Sequence, residues 1–216
     1  MENPYVMGHS QAIESPRDLV VIAASAGGFP ALIKLIASLP QGFSVPIVVL
    51  LHMPSADSHR SILPELLRPH THLSVKWIEH GESLNSGMIY ISPQDVQSRI
   101  AMDATFNLQK LVRNVDGRPA ADPLFLSAAE CFGKHVIGVV LSGYLSDGAL
   151  GSRDIVNAGG RILVQDENTC LAFSMPKAAL RMGIVDFVLP PTAIAHALTA
   201  MLMAPGADAW FRVWKN

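Results

Sequence analysis

At 216 residues, half of them apolar, the chain is long enough to bury one sizeable core without disulfide or metal staples. A formal charge of −2 with 16% charged residues excludes a general nucleic-acid binder, which needs a basic face to displace phosphate counterions. No apolar run approaches the roughly 20 residues of a membrane span, and the opening stretch lacks an apolar signal core, so a cytoplasmic protein without membrane insertion is expected.

Residues 1–17 are polar and punctuated by Pro4 and Pro16, and read as a disordered or loosely attached lead. Leu19 to Ala24 is an unbroken apolar run, the pattern of a strand buried on both faces. After Gly27-Gly28, Pro30 to Ile36 has helical spacing with a proline suited to a first turn. Val45 to Leu51 is a second buried strand ending at His52-Met53-Pro54, and a helix is expected around Ile62 to Leu67. Val75 to Ile78 and Met88 to Ile91 read as strands, and the alternation from Gln97 to Val112 as a β-hairpin outside the main sheet. A helix over Asp122 to Phe132 leads to the buried strand Val136 to Leu141. Helix Gly148 to Ala158, strand Arg161 to Val164, helix Pro176 to Met182, strand Val185 to Leu189 and helix Ala193 to Met203 complete the series.

Strands alternating with helices of this length form right-handed βαβ units. The expected fold is therefore α/β and doubly wound: a mostly parallel sheet with helices on both faces, a three-layer α/β/α sandwich, plus a small β-hairpin. With no repeat or linker, residues 18–204 read as one domain, followed by a tail over 205–216 whose Trp210, Phe211 and Trp214 suit a packed end segment. Cys131 and Cys170 belong to no CxxC pair and read as buried free thiols. His70 and His72 lack a matching pair of ligands, so no metal is expected.

In an open parallel sheet, chemistry gathers at the carboxyl ends of the strands. Three such loops carry useful groups: Ala23-Ala24-Ser25-Ala26-Gly27-Gly28, His52-Met53-Pro54, and Ser142-Gly143-Tyr144-Leu145-Ser146-Asp147-Gly148. An activated serine needs a tight turn with backbone N–H groups for an oxyanion, an imidazole to take its proton and a carboxylate to fix the imidazole. Ser25, His52 and Asp147 fit those roles. Each has a plainer alternative. The turn at Ser25 equally suits a phosphate cradle, though no G-x-G-x-x-G or P-loop lysine is present. His52 alone reads as a packed structural histidine, and Asp147 as a helix N-cap. Asp122, Asp166 and Glu167 are loop or helix-start acids, and either aspartate is a rival for the orienting role.

At these motifs the sequence closely resembles the catalytic domain of the chemotaxis protein-glutamate methylesterase family, CheB. The matching segments are Val20 to Gly28, Leu51 to Pro54, Gly117 to Phe125, Gly138 to Gly148, and Ala158-Gly159-Gly160 through Gln165-Asp166-Glu167 to Ala179. They run in one consistent order over roughly residues 18 to 203. The resemblance implies Ser25 as nucleophile, His52 as general base and then acid, and Asp147 as the orienting acid. It implies hydrolysis of glutamate γ-methyl esters on the cytoplasmic domain of a methyl-accepting chemoreceptor, glutamine deamidation at the same sites, and no cofactor. Ala26 and Gly27 fall at the implied oxyanion site, Tyr144 beside it, and Arg118 near the approach to it, where a structural salt bridge is an equal reading.

The chain departs from that family at several points. Glycine usually stands where Ala23 does, Met-Gly where Tyr144-Leu145 does, and often histidine where Gln97 does. The familiar members also carry a receiver domain ahead of this one. The expectation is thus a stand-alone, open esterase or one module of a longer protein, with a separate receiver or kinase as a possible partner. Two rival functions are a catalytically weak adaptor of a chemotaxis-like system and a nucleotide-binding α/β protein.

Overall fold

A computed structural model describes residues 18–53, 62–111 and 120–203. The lead over 1–17, the tail over 205–216 and Arg118 lie outside the described residues.

Seven strands form one parallel sheet: β1 (Leu19–Ala24), β2 (Ile47–Leu51), β3 (Ser74–Trp77), β4 (Met88–Ile91), β7 (Val136–Val140), β8 (Arg161–Gln165) and β9 (Phe187–Leu189). Between β4 and β7 the chain makes an antiparallel hairpin of β5 (Val96–Ile100) and β6 (Phe106–Lys110). The sheet order is β3-β4-β2-β1-β7-β8-β9. From β1 the chain winds outward through β2 to one edge, then returns to lay β7 on the other side of β1. The reversal between β1 and β7 is the switch point at which doubly wound sheets open a ligand crevice.

Helices cover both faces because β1, β2 and β7 are apolar at every position and wholly buried. Val20, Ile22 and Ala24 of β1 pack with α1 (Gly28–Ala37), α2 (Leu63–Leu67) and α6 (Pro191–Met203). Leu19, Val21 and Ala23 pack on the other face with α3 (Ala121–Phe132), α4 (Ala149–Asn157), α5 (Ser174–Arg181) and the hairpin residues Ile100 and Phe106. Phe106 meets Tyr90 of β4 with ring centroids 4.9 Å apart, which fastens the hairpin to this layer.

Two expectations are corrected. The last strand begins at Phe187 rather than Val185: the Asp186 N–H still donates to the Ile162 carbonyl of β8 at 2.8 Å, but the Ile162 N–H goes to the Asp186 carboxylate at 2.9 Å, beside the Arg161 guanidinium at 2.9 Å, so the backbone ladder ends there. Cys131 and Cys170 are free, but half-buried rather than buried, since each sits where a helix or turn meets the surface. Burial still pushes both thiols up, Cys170 to about 11, so neither is a ready thiolate nucleophile.

Candidate active site

The strand register sets the site. Ala24 pairs with Leu51 across β1 and β2, and the His52 N–H donates to the Ala24 carbonyl at 2.8 Å. On the other side, the Ser25 N–H donates to the Ser142 carbonyl at 2.9 Å. Ser25, His52 and Ser142 therefore leave three adjacent strands side by side, at the roughly 4.8 Å spacing of strand neighbours.

The turn after Ser25 is built by Gly27, whose φ of 76° is left-handed. A Cβ there would lie 2.4 Å from the Cβ of Leu171 and 2.8 Å from the Ser142 hydroxyl, so only glycine fits. The Gly28 N–H closes the turn on the Ser25 carbonyl at 2.8 Å, and α1 starts at once. Its positive end thus lies beside Ser25.

Asp147 arrives from the loop after β7. Its Oδ2 lies 3.2 Å from His52 Nε2, with the two side chains only 13% and 19% exposed. The same carboxylate accepts the Ala121 N–H at 2.7 Å, the Asp122 N–H at 3.2 Å and the Gly148 N–H at 3.0 Å. Burial pushes its pKa up, but the hydrogen bonds from His52 and Ala121 and the attraction of His52 outweigh that and hold it below the usual carboxylate range. Asp147 is therefore ionised at neutral pH. The N-cap reading is half right: Asp147 caps α3, while α4 behind it begins at Ala149 with Gly148 as its N-cap and no side-chain cap.

The rival acids have other employment. Asp122 Oδ1 accepts the Gly151 N–H of α4 at 2.8 Å, and burial, then the neighbouring Asp147 charge, raise its pKa against the hydrogen bond from Gly151. Asp166 caps the short turn over 167–169 by accepting from the Thr169 N–H at 2.9 Å, and Glu167 belongs to that turn.

Three further residues, to none of which sequence reasoning gave this role, hold these groups in place. The buried Ser142 hydroxyl donates to the Ala26 carbonyl at 2.7 Å and accepts the Ala172 N–H at 3.0 Å, tying the turn after Ser25 to the loop before α5. Gln94 donates to the Leu51 carbonyl at 2.7 Å and accepts the Met53 N–H at 3.4 Å, gripping the backbone on both sides of His52. Gln97 makes two bonds to the backbone of Ala120. Of these, Ser142 carried a signal as the polar end of a buried strand and Gln97 as a departure from the resembled family, while Gln94 carried none.

Tyr144 and Leu145, in the loop after β7, and Leu171, before α5, are largely exposed and form an apolar rim. The Ala23 methyl is buried in the second core layer, near the position that a Cβ on Gly148 would take. His72 bonds the Phe43 carbonyl and His80 accepts from the Leu108 N–H, both structural roles. Among the described residues, no group of three or more His, Cys, Asp or Glu side chains could hold a metal ion.

Comparison with known proteins bears on the whole of this arrangement. Residues 20–198 match the family model described as CheB methylesterase. A protein-glutamate methylesterase/protein-glutamine glutaminase 1 of Carboxydothermus hydrogenoformans is 41% identical over 189 residues, covering 85% of this chain and 55% of that protein. Its counterpart in Pyrococcus horikoshii is 36% identical over 179 residues, covering 81% of this chain and 48% of the other. The crystal structure of the Thermotoga maritima CheB methylesterase catalytic domain superposes with a TM-score of 0.81 at 34% identity, covering 88% of this chain and 100% of that one. The chain thus spans about half the length of the curated relatives it matches.

Proposed function

We propose that this chain, which belongs to the CheB methylesterase family, is a serine hydrolase of protein glutamate γ-methyl esters, with Ser25, His52 and Asp147 as its catalytic residues. The observation that carries the reading is the His52–Asp147 pair at 3.2 Å, set beside Ser25 by the Ala24–Leu51 register.

Because Nε2 of His52 faces Asp147, Nδ1 is the nitrogen that serves the Ser25 hydroxyl. Proton transfer to Nδ1 frees the Ser25 oxygen to attack the ester carbonyl, and the ionised Asp147 stabilises the imidazolium that forms. The oxyanion is met by backbone N–H groups at Ala26 and Gly27, helped by the N-terminal end of α1. His52 returns the proton to the departing methoxide, methanol leaves, and a glutamyl-serine ester remains. Water activated by His52 then attacks that ester, restoring Ser25 and releasing the glutamate carboxylate. The same steps on a glutamine side chain release ammonia, in keeping with the glutaminase half of the relatives' name.

The substrate of this reading is the cytoplasmic part of a chemoreceptor. The rim of Tyr144, Leu145 and Leu171 is the apolar surface that it meets. No helix among the described residues is long and apolar enough to cross a membrane.

The test is methanol release from a peptide carrying a glutamate γ-methyl ester, with a fluorophosphonate probe used in parallel. Ser25→Ala and His52→Ala are each expected to lower kcat by about 10³-fold or more while the protein stays folded. Covalent labelling at Ser25 should vanish in His52→Ala. Undiminished turnover in Ser25→Ala would end this assignment.

A further inference from the structure

We propose that Gln97 and Asp122 are positioning residues for the Asp147 carboxylate, acting on it through the first turn of α3. The proposal deepens the serine-hydrolase reading and depends on it for its catalytic consequence.

Helix α3 begins without a side-chain cap of its own, and so does α4. Each opening is served by a carboxylate from the other segment. Asp147, two residues before α4, takes the Ala121 and Asp122 N–H groups at 2.7 and 3.2 Å. Asp122, in the first turn of α3, takes the Gly151 N–H of α4 at 2.8 Å. The two helices are also jammed together at this point. A Cβ on Gly151 would lie 2.5 Å from the Phe125 Cβ and 2.8 Å from the Asp122 carbonyl oxygen. The reciprocal bonds and the close approach fix the loop that carries Asp147 against the start of α3.

Gln97, from β5 of the outlying hairpin, fixes the start of α3 in turn. Its Oε1 accepts the Ala120 N–H at 2.8 Å and its Nε2 donates to the Ala120 carbonyl at 2.9 Å. Both polar atoms of one amide thus grip both polar atoms of one residue, which sets the position and the rotation of the backbone just before α3. The next two N–H groups along that backbone are the ones aimed at Asp147. Without the grip, those donors are free to turn, and the carboxylate loses its orientation toward His52. His52 and Asp122 are the titratable groups facing Asp147 among the described residues.

The experiment uses the full chain with Gln97→Leu, which fills the same space without hydrogen bonds, and with Asp122→Asn, whose amide oxygen can still accept from Gly151. Three quantities are read: steady-state hydrolysis of the methyl-ester peptide, the denaturation midpoint, and the titration of the Asp147 carboxyl by carbon-13 NMR. For Gln97→Leu, kcat is expected to fall about tenfold with KM within about twofold. The Asp147 carboxyl should also titrate at higher pH, because its charged form has lost well-aimed donors. Asp122→Ala, which removes the acceptor for Gly151, should lower kcat about fivefold with KM within about twofold, and Asp122→Asn should restore it, as the bond rather than the charge does the positioning. Wild-type kcat and an unmoved Asp147 titration in Gln97→Leu overturn the proposal, and so does a loss that tracks only the unfolded fraction. Wild-type kcat in Asp122→Ala, or a tenfold loss in Asp122→Asn, overturns the part assigned to Asp122. Failure of the wild-type chain to hydrolyse the peptide counts against the functional reading instead, and the NMR titration then decides the positioning proposal alone.

Discussion

Leu145 answers to two opposing demands. It is held at a φ of 67° and is 82% exposed, so it bears left-handed strain with no packing in return. Strain of this kind costs about 1–2 kcal/mol, and glycine gives back about half of that in chain entropy. Leu145→Gly is therefore expected to raise the unfolding free energy by about 0.5–1 kcal/mol in denaturant titration. If the exposed side chain meets substrate, the same variant should raise KM severalfold. A variant both more stable and unchanged in KM would remove Leu145 from the rim. Legibility at this scale is uneven. Ser25, His52 and Asp147 stood out because each follows a buried strand, where a polar side chain has few packing reasons to be. Gln94, Gln97 and Ser142 hold them by bonds to backbone 43, 23 and 116 residues away, and no local pattern announces such a partner.

Among the elements, the central strands were readable because burial on both faces leaves an apolar run and nothing else. The strand Val185 to Leu189 was overread for the same reason: apolarity marks Val185, but the Asp186 carboxylate turns to β8 and shortens the ladder. Asp122 shows the complementary limit. Its composition fits an orienting acid or a helix cap, and only the packing of α3 on α4 decides for the cap. That packing makes a sharp prediction. Gly151→Ala would put a methyl group into Phe125 and the backbone of Asp122, and overpacking of this kind costs about 1–3 kcal/mol. The loss of stability should come with a fall in kcat exceeding that of an equally destabilising change in α1, such as Ile36→Val. Equal losses would mean that the α3–α4 contact has no special link to the site.

For the molecule as a whole, the two neighbouring carboxyls pull its acid stability in opposite directions. Asp147 titrates below its ordinary value of 3.8, so its contribution is present above that pH and is lost as pH falls through the folded value. Asp122 titrates above 3.8, so its contribution is present below that pH and is lost as pH rises through the raised value. Unfolding of wild type and Asp147→Asn across pH should therefore show a gap that is wide at neutrality and narrows below 3.8. A gap independent of pH would mean that the carboxylate's charge adds nothing to the fold.

The pairing of β1 with β7, Leu19 against Val136, joins the first strand to one made after more than half of the chain. During synthesis, Ser25 and His52 emerge long before the aspartate that completes their set. Closing so long a loop is slow and comes late. On the proposed function, an unfinished polypeptide would carry its hydroxyl and imidazole without the power to cleave an ester, and refolding should restore hydrolysis only in its slowest phase.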